Sequence, residues 1–313
     1  MLTKEFWIKR SLLLLFAYLF YLWAWQTSFA ADTPISPKHF DEELSQHIAV
    51  NQNGPNTIGY ILIDDHATSI NQATWLYVKK ALDYYEKTKP IFIILELNTP
   101  GGEVYSAQKI SDALKEIDIQ RNIPVVAYIN NWAISAGAML AYSSRFIVVA
   151  KDGSMGAAEP VIEGAEGKME AASEKVNSVL RADFANRARF FGRDPLIAEA
   201  MVDKDLILVI RNGKVTKLDN ELQEHMEGPD KDIILSPKGK LLTLDAEQMI
   251  SLGVADMMVP PTKVVSITEG EKDAGKWQAS KKWRSFTNLF LMLSPMPLLM
   301  PTTWTGKHDS SHC

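Results

Sequence analysis

The chain has 313 residues, 46% of them apolar and 23% charged, with a formal net charge of −5. That is material for one large domain or two small ones with an ordinary core, and it excludes the basic footprint of a nucleic-acid binder. The single cysteine, Cys313, is the last residue, which excludes an intrachain disulfide and argues against a thiol catalyst.

The first element is targeting rather than fold. "MLTKEFWIKR" carries Lys4, Lys9 and Arg10, an uncharged run "SLLLLFAYLFYLWAW" follows, and "QTSFA" places Ser28 and Ala30 at the small positions of a cleavage site. This pattern predicts a secretory signal peptide over residues 1–30, with an uncleaved anchor as the alternative. Either way the main domain is expected to be exported across the inner membrane. The Pro- and polar-rich residues 31–57 read as a linker.

From Ile58 an alternation of strands and helices begins. "IGYILID" and "IFIILEL" read as buried strands, and "NQATWLYVKKALDYYEK" between them has helical spacing at Trp75, Val78, Leu82 and Tyr85. "EVYSAQKISDALKEI" is helical, with Val104, Ala107, Ile110, Leu114 and Ile117 on one face. "PVVAYI" and "FIVVA" are two further strands, separated by a helix that Ser135 would open. The order predicts an α/β domain with a mainly parallel sheet and crossover helices. After "DGSMGAAEPV" the segment "IEGAEGKMEAASE" reads as a loop, "EKVNSVLRADFANRARFFGRD" as a long helix, and "LILVIRNGKV" as a hairpin turning at Asn212-Gly213. "LTLDAEQMISLGVADMMV" supplies a short helix and a final strand. The main domain is thus expected over 58–262. Residues 263–313 form a polar then apolar tail, broken by Pro295, Pro297 and Pro301 and too short to span a bilayer as one helix.

Two glycine-bearing turns carry the chemistry. "NTPGG" ends one strand and opens a helix, so its backbone N–H groups can point at an anion. "AISAGA" sits at another strand-to-helix transition, where small residues allow a carbonyl to approach the Ser135 hydroxyl. Donors from both turns converging on one oxygen would form an oxyanion hole. Each motif alone is more often plain structure, a turn or close helix packing; the pair is more specific. A base is harder to find. The histidines are at 39, 47, 66, 225, 308 and 312, none between Asn98 and Lys204. That leaves Lys151, Lys168 and Lys175, any of which is by default a solvated charge, since a lysine acts as a base only when burial lowers its pKa. Composition does not choose between Lys168 and Lys175.

"LELNTPGGEVYSAQKI", "VVAYINNWAISAGAML" and "GSMGAAEPV", in this order and at these distances, resemble the NfeD family of membrane-bound serine proteases. The resemblance covers about 58–262 and implies a Clp-protease/crotonase-like fold with repeated ββα units. It implies that Ser135 is the nucleophile and that Lys175, 17 residues before Gly192-Arg193, is the general base. It also implies that Gly102 and Ala136 supply the oxyanion-hole N–H groups. The implied substrate is an apolar peptide segment of a stomatin-like membrane protein, the implied assembly a homodimer, and no cofactor or metal is expected. Relatives continue into several membrane spans and a small OB-type barrel, so a chain ending at Cys313 is expected to be a short or truncated form. Asn98 stands where relatives commonly carry aspartate.

Three other readings compete. A crotonase-type acyl-CoA hydratase or isomerase would need acid–base carboxylates, for which Glu159 is the nearby candidate. A signal-peptide-peptidase-like enzyme would have its lysine upstream of the serine, whereas the best candidate here is downstream. A catalytically inactive scaffold of the same fold would only organise membrane partners.

Overall fold

The computed structural model describes residues 40–50, 56–64, 69–164 and 167–259, together with the backbone of 298–299. The predicted signal peptide and nearly all of the tail lie outside the described residues. After a short strand β1 (Asn56–Thr57), the central sheet has seven strands among the described residues. Strands β2 (Gly59–Asp64), β3 (Ile93–Thr99) and β4 (Val125–Ile134) pair in parallel, and β4 then pairs with both β5 (Phe146–Ala150) and β6 (Ser154–Gly156). β12 (Thr243–Asp245) adds antiparallel to β6, and β13 (Met257–Val259) adds parallel to β5.

The ten-residue β4 serves two neighbours because its halves face different partners. Val126–Ile129 pairs with β5, whereas Trp132–Ile134 pairs with β6. Side chains alternate across the sheet as the pleat requires. Ile61, Ile63, Leu95, Leu97, Ala127, Ile129, Ile147 and Val149 face the main core beneath helices α2 (Gln72–Thr88), α3 (Val104–Arg121), α4 (Ala136–Tyr142) and α5 (Glu174–Phe190). Ile94, Val126, Tyr128, Phe146 and Val148 face a second core on the opposite side.

That second core changes the reading of 31–57 as a linker. Phe40–His47 is a helix, α1, whose Phe40 and Leu44 are buried against the sheet, with the Phe40 and Phe146 rings edge to face at 5.4 Å. An i, i+4 apolar pair on an otherwise polar segment was too weak a signal to stand out. The segment read as a loop also carries structure: β7 (Val161–Glu163) and β8 (Met169–Ala171) form an exposed antiparallel pair. Helix α6 (Pro195–Val202) follows directly on α5; Asp194 caps it and Pro195 sits in its first turn, as the helix-start rules favour.

A separate three-stranded antiparallel sheet is built from β9 (Ile207–Arg211), β10 (Lys214–Leu218) and β11 (Ile233–Ser236). The β9–β10 turn is Asn212-Gly213 with φ of 53° and 77°, the left-handed pair that a two-residue hairpin needs. The Arg211 guanidinium grips Asp232, donating to both carboxylate oxygens at 2.8 and 2.6 Å, and the His225 N–H donates to the same carboxylate at 2.9 Å. The hydrogen bond from Arg211 holds the Asp232 carboxyl down at about 2. Because the folded pKa lies below the unfolded one, the pair's contribution is complete above about pH 4 and is lost as pH falls towards 2. Amide exchange at His225 is expected to lose protection over that window before the central sheet opens. Equal protection at pH 2 and pH 5 would rule out this account.

Two buried arginines tie the layers together. Arg193 donates to the carbonyls of Val254, Ser144 and Arg145 and to the Asp256 carboxylate at 3.0 Å, while Asp256 also accepts the Ile147 N–H at 2.8 Å. Arg187 reaches Ser111 and, at 3.3 Å, Ser143 and Asp112, and pairs with Asp183, so one guanidinium joins α3, α4 and α5. Removing one partner of a buried pair strands the other charge. Arg193→Met is therefore expected to lower unfolding free energy in urea by about 3–5 kcal/mol. Lys79→Ala, which breaks the exposed Lys79–Asp83 pair, is expected to cost less than about 1 kcal/mol.

Candidate active site

The site lies where β4 ends. Ile134 is its last residue, Ala136 the first of α4, and Ser135 between them has φ 56° and ψ −119°, a conformation that L side chains rarely adopt. Such strain costs about 1–3 kcal/mol and persists only where surroundings enforce it. Here the Ser135 N–H donates to the Gly156 carbonyl at 2.8 Å, and its carbonyl accepts the Ala138 N–H at 3.0 Å. The hydroxyl is thereby lifted out of the strand on a sharp elbow.

The other glycine turn closes against this elbow. A Cβ on Gly101 would stand 2.5 Å from the Ser135 Cβ and 3.0 Å from the Ala136 nitrogen, and Gly101 has φ 110°. A Cβ on Gly102 would stand 2.1 Å from the Ile70 carbonyl oxygen. Gly102 is bridged to Ile70: the Ile70 N–H donates to the Gly101 carbonyl and the Glu103 N–H donates to the Ile70 carbonyl. This geometry turns the Gly102 N–H away from Ile70. Neither the Gly102 nor the Ala136 N–H finds an acceptor among the described residues. The structure thus brings together Ser135, Gly102 and Ala136, three of the four residues expected from sequence, around a cavity of about 140 Å³.

The cavity lining is mixed. Met139, Ala158, Leu180 and Phe184 supply an apolar patch, called the floor below, and Gly102 to Val104 and Glu159 to Val161 complete the lining. Leu180 and Phe184 are one helical turn apart on α5, a pair the sequence reading did not single out although their spacing is visible. Glu159 accepts a hydrogen bond from Lys204 Nζ at 2.8 Å, and this bond holds the Lys204 ammonium above its ordinary range.

The fourth residue is elsewhere. Lys175 is the second residue of α5, exposed, and does not line the cavity. At about 100° per residue it stands roughly 140° around the helix from Leu180 and roughly 180° from Phe184, so it faces away from the floor they form. Lys168 is exposed on the β7–β8 pair, and Lys151 and Lys168 are likewise absent from the lining. The lysine that approaches is Lys204, joined to Glu159 across 45 positions of sequence. No local pattern announces such a pair.

With this geometry in hand, comparison with known proteins is informative. The model of the family described as NfeD1b, N-terminal domain, matches residues 63–227, more than half of the chain. The chain belongs to that family. The membrane protein NfeD1b of Bacillus subtilis is 32% identical over 188 residues, covering 60% of this chain and 36% of the relative. The membrane-bound protease PH1510 of Pyrococcus horikoshii is 33% identical over 120 residues, covering 37% of this chain and 26% of the relative. The chain therefore spans about a third or less of these curated relatives. Two solved structures of the 1510-N membrane-bound stomatin-specific protease share the fold. One, a lysine-to-alanine variant with a substrate peptide, has a TM-score of 0.50 at 22% identity, covering 66% of this chain and 76% of the other. The second, a serine-to-alanine variant, has a TM-score of 0.52 at 20% identity, covering 79% and 97%. The α/β architecture with a mainly parallel sheet is thus the one expected from sequence.

The packing of the two turns makes a stability prediction. Gly101→Ala adds a methyl into backbone and Ser135, whereas Gly192→Ala, at φ 74° with open space around it, adds only the left-handed strain of about 1 kcal/mol. Gly101→Ala is expected to lower the urea midpoint clearly more than Gly192→Ala. Equal shifts would mean that the elbow does not depend on this contact.

Proposed function

We propose that this chain is a serine endopeptidase. The observation that carries the reading is Ser135 on its strained elbow, opening into a cavity shared with the N–H groups of Gly102 and Ala136, which are unpaired among the described residues. Ser135 attacks a peptide carbonyl as a base takes its hydroxyl proton, and the oxygen that gains charge is received by those two donors, which need no reorganisation at the moment of reaction. The C–N bond breaks as the leaving amine takes that proton from the base, and water activated by the same base then releases the acyl group from Ser135. The Glu159 N–H and the Gly102 carbonyl, unpaired among the described residues, line the same cavity and suit pairing with an extended peptide. Relatedness to PH1510, named a membrane-bound protease, supports the class.

Lys175 is proposed as the base, by the motif spacing that the family resemblance supplies. In the arrangement described here it cannot act, because it is exposed outside the cavity and the proton path from Ser135 is not made. The reading therefore includes a rearrangement of the first turn of α5 and the adjoining β7–β8 pair when a peptide enters, which buries the amine. Catalytic contacts that tighten only in the complex are common.

The apolar floor favours an apolar side chain in the cavity. A stomatin-like membrane protein as substrate, export across the inner membrane, membrane association and a homodimer are proposed on the same family grounds. A second reading, a catalytically inactive scaffold, is favoured by one specific observation, the outward position of Lys175. The acyl-CoA hydratase reading is weakened by Glu159, whose carboxylate is already engaged by Lys204.

The test uses the full chain and a panel of apolar peptides. Wild type and Lys168→Ala are expected to cleave, with activity rising into mildly alkaline pH; Ser135→Ala and Lys175→Ala are expected to lose at least about a hundred-fold in kcat/KM. A folded wild type that cuts nothing, or Ser135→Ala cutting equally well, leaves the scaffold reading. Loss in Ser135→Ala but not in Lys175→Ala would keep the protease and remove Lys175 as its base.

A further inference from the structure

The cavity that holds Ser135 is not uniformly apolar. Glu103 and Glu159 line it together with the apolar floor residues Met139, Leu180 and Phe184. Each carboxylate is only partly used. Glu103 Oε2 accepts the Ser106 hydroxyl at 2.7 Å, and Glu159 Oε1 accepts Lys204 at 2.8 Å. The second oxygen of Glu159 has no partner among the described residues. The two ends of the Glu159–Lys204 pair differ in setting: the glutamate side chain is 16% exposed on the cavity wall, the lysine side chain 42% exposed. A carboxylate sheltered in a partly closed cleft retains electrostatic reach that a surface pair loses to screening.

We propose that Glu159 is a specificity-determining residue that selects peptides carrying a lysine or arginine two positions from the apolar residue on the cavity floor, with Lys204 as the intramolecular cation that the substrate's basic group displaces. The proposal rests on the reading of this cavity as a peptide site. Glu103, in the same lining, adds to the same negative field. In an extended peptide successive side chains point to opposite sides, so residues two apart share the cavity-facing side. An apolar residue with a basic one two positions away then meets an apolar surface and a carboxylate at once. The empty cleft keeps Glu159 compensated by Lys204, which avoids a sheltered unpaired charge while no peptide is bound. Because Lys204 competes with the substrate, its removal should sharpen selection rather than weaken it. A purely structural ion pair does not behave this way.

The experiment measures binding apart from cleavage. Fluorescently labelled peptides share an apolar centre and differ by one residue, lysine or norleucine, placed two positions before or two positions after a central leucine. Dissociation constants are read by anisotropy on full-length Ser135→Ala and on the same chain with Glu159→Gln or Lys204→Ala. At one position at least, the lysine peptide is expected to bind about five-fold tighter than its norleucine twin, the size of a partly exposed ion pair. Glu159→Gln should abolish the difference, Lys204→Ala should widen it, and added salt should narrow it. If lysine gives no advantage, or both variants weaken both peptides alike, Glu159 has no part in selection. Cleavage by wild type is scored separately. Lysine preference without cleavage retains the specificity and removes the protease; cleavage without preference does the reverse. Absence of both removes both.

Discussion

The close approach of two backbones, Gly101 against Ser135, is the constraint on which the rest of the site depends. At that separation no side chain fits on the first residue, and the second is forced into left-handed space. The contact is held from behind on both sides. Ile70 bridges the turn carrying Gly102, and Gly156 accepts the Ser135 N–H. Thr99 Oγ1 accepts the Gly101 N–H at 3.1 Å, and the Thr99 methyl leaves no room for a Cβ on Gly137. The two turns are therefore a single interlocked unit. Its by-product is a pair of backbone donors that find no acceptor among the described residues, both belonging to residues that line the same small cavity.

The sheet explains why the turns meet at all. β3 and β4 are parallel neighbours, so both deliver their carboxyl ends to the same edge, and the loop that follows each lies beside the other. β4 runs on past the pairing with β5 and changes partner to β6, which carries Ser135 out to the elbow and places Gly156 beneath it. The helices then add the floor. Leu180 and Phe184 from α5 and Met139 from α4 pack towards one another, with Tyr142 and Phe184 edge to face at 6.3 Å behind them. Fold and site chemistry are continuous: the strand order sets the meeting point, and residue size sets how near the chains come.

Much of this was legible in the sequence, for a physical reason. Glycines and alanines at 101, 102, 136 and 137 encode close approach locally, and the period of the flanking apolar residues encodes strand or helix. What could not be read is what depends on distant partners. Glu159 and Lys204 look like ordinary surface charges until the fold brings them together. The Phe40–Leu44 pair looked like part of a linker because its burial is decided by Phe146 and neighbours a hundred residues on. The β7–β8 pair is two strands of only three residues with Gly164 and Gly167 between them, so its local pattern matched a loop. Lys175 was assigned by spacing, and spacing fixed its place at the start of α5 without fixing the direction it faces.

The anchoring of α5 is uneven along its length. Near its carboxyl end Arg187 ties it to α3 and α4 with several bonds inside the protein, and Leu180 and Phe184 are buried. Its first turn is secured mainly from outside: Arg181 pairs with Asp203 and with Glu174 at 3.2 Å, and Val176 and Val179 lie exposed. Free energy of local opening therefore rises along the helix from its amino end. The helix behaves as a cantilever, clamped at one end and loaded at the other. Opening confined to the first turn would carry residue 175 to a new position while Leu180 and Phe184 stay packed in the cavity lining.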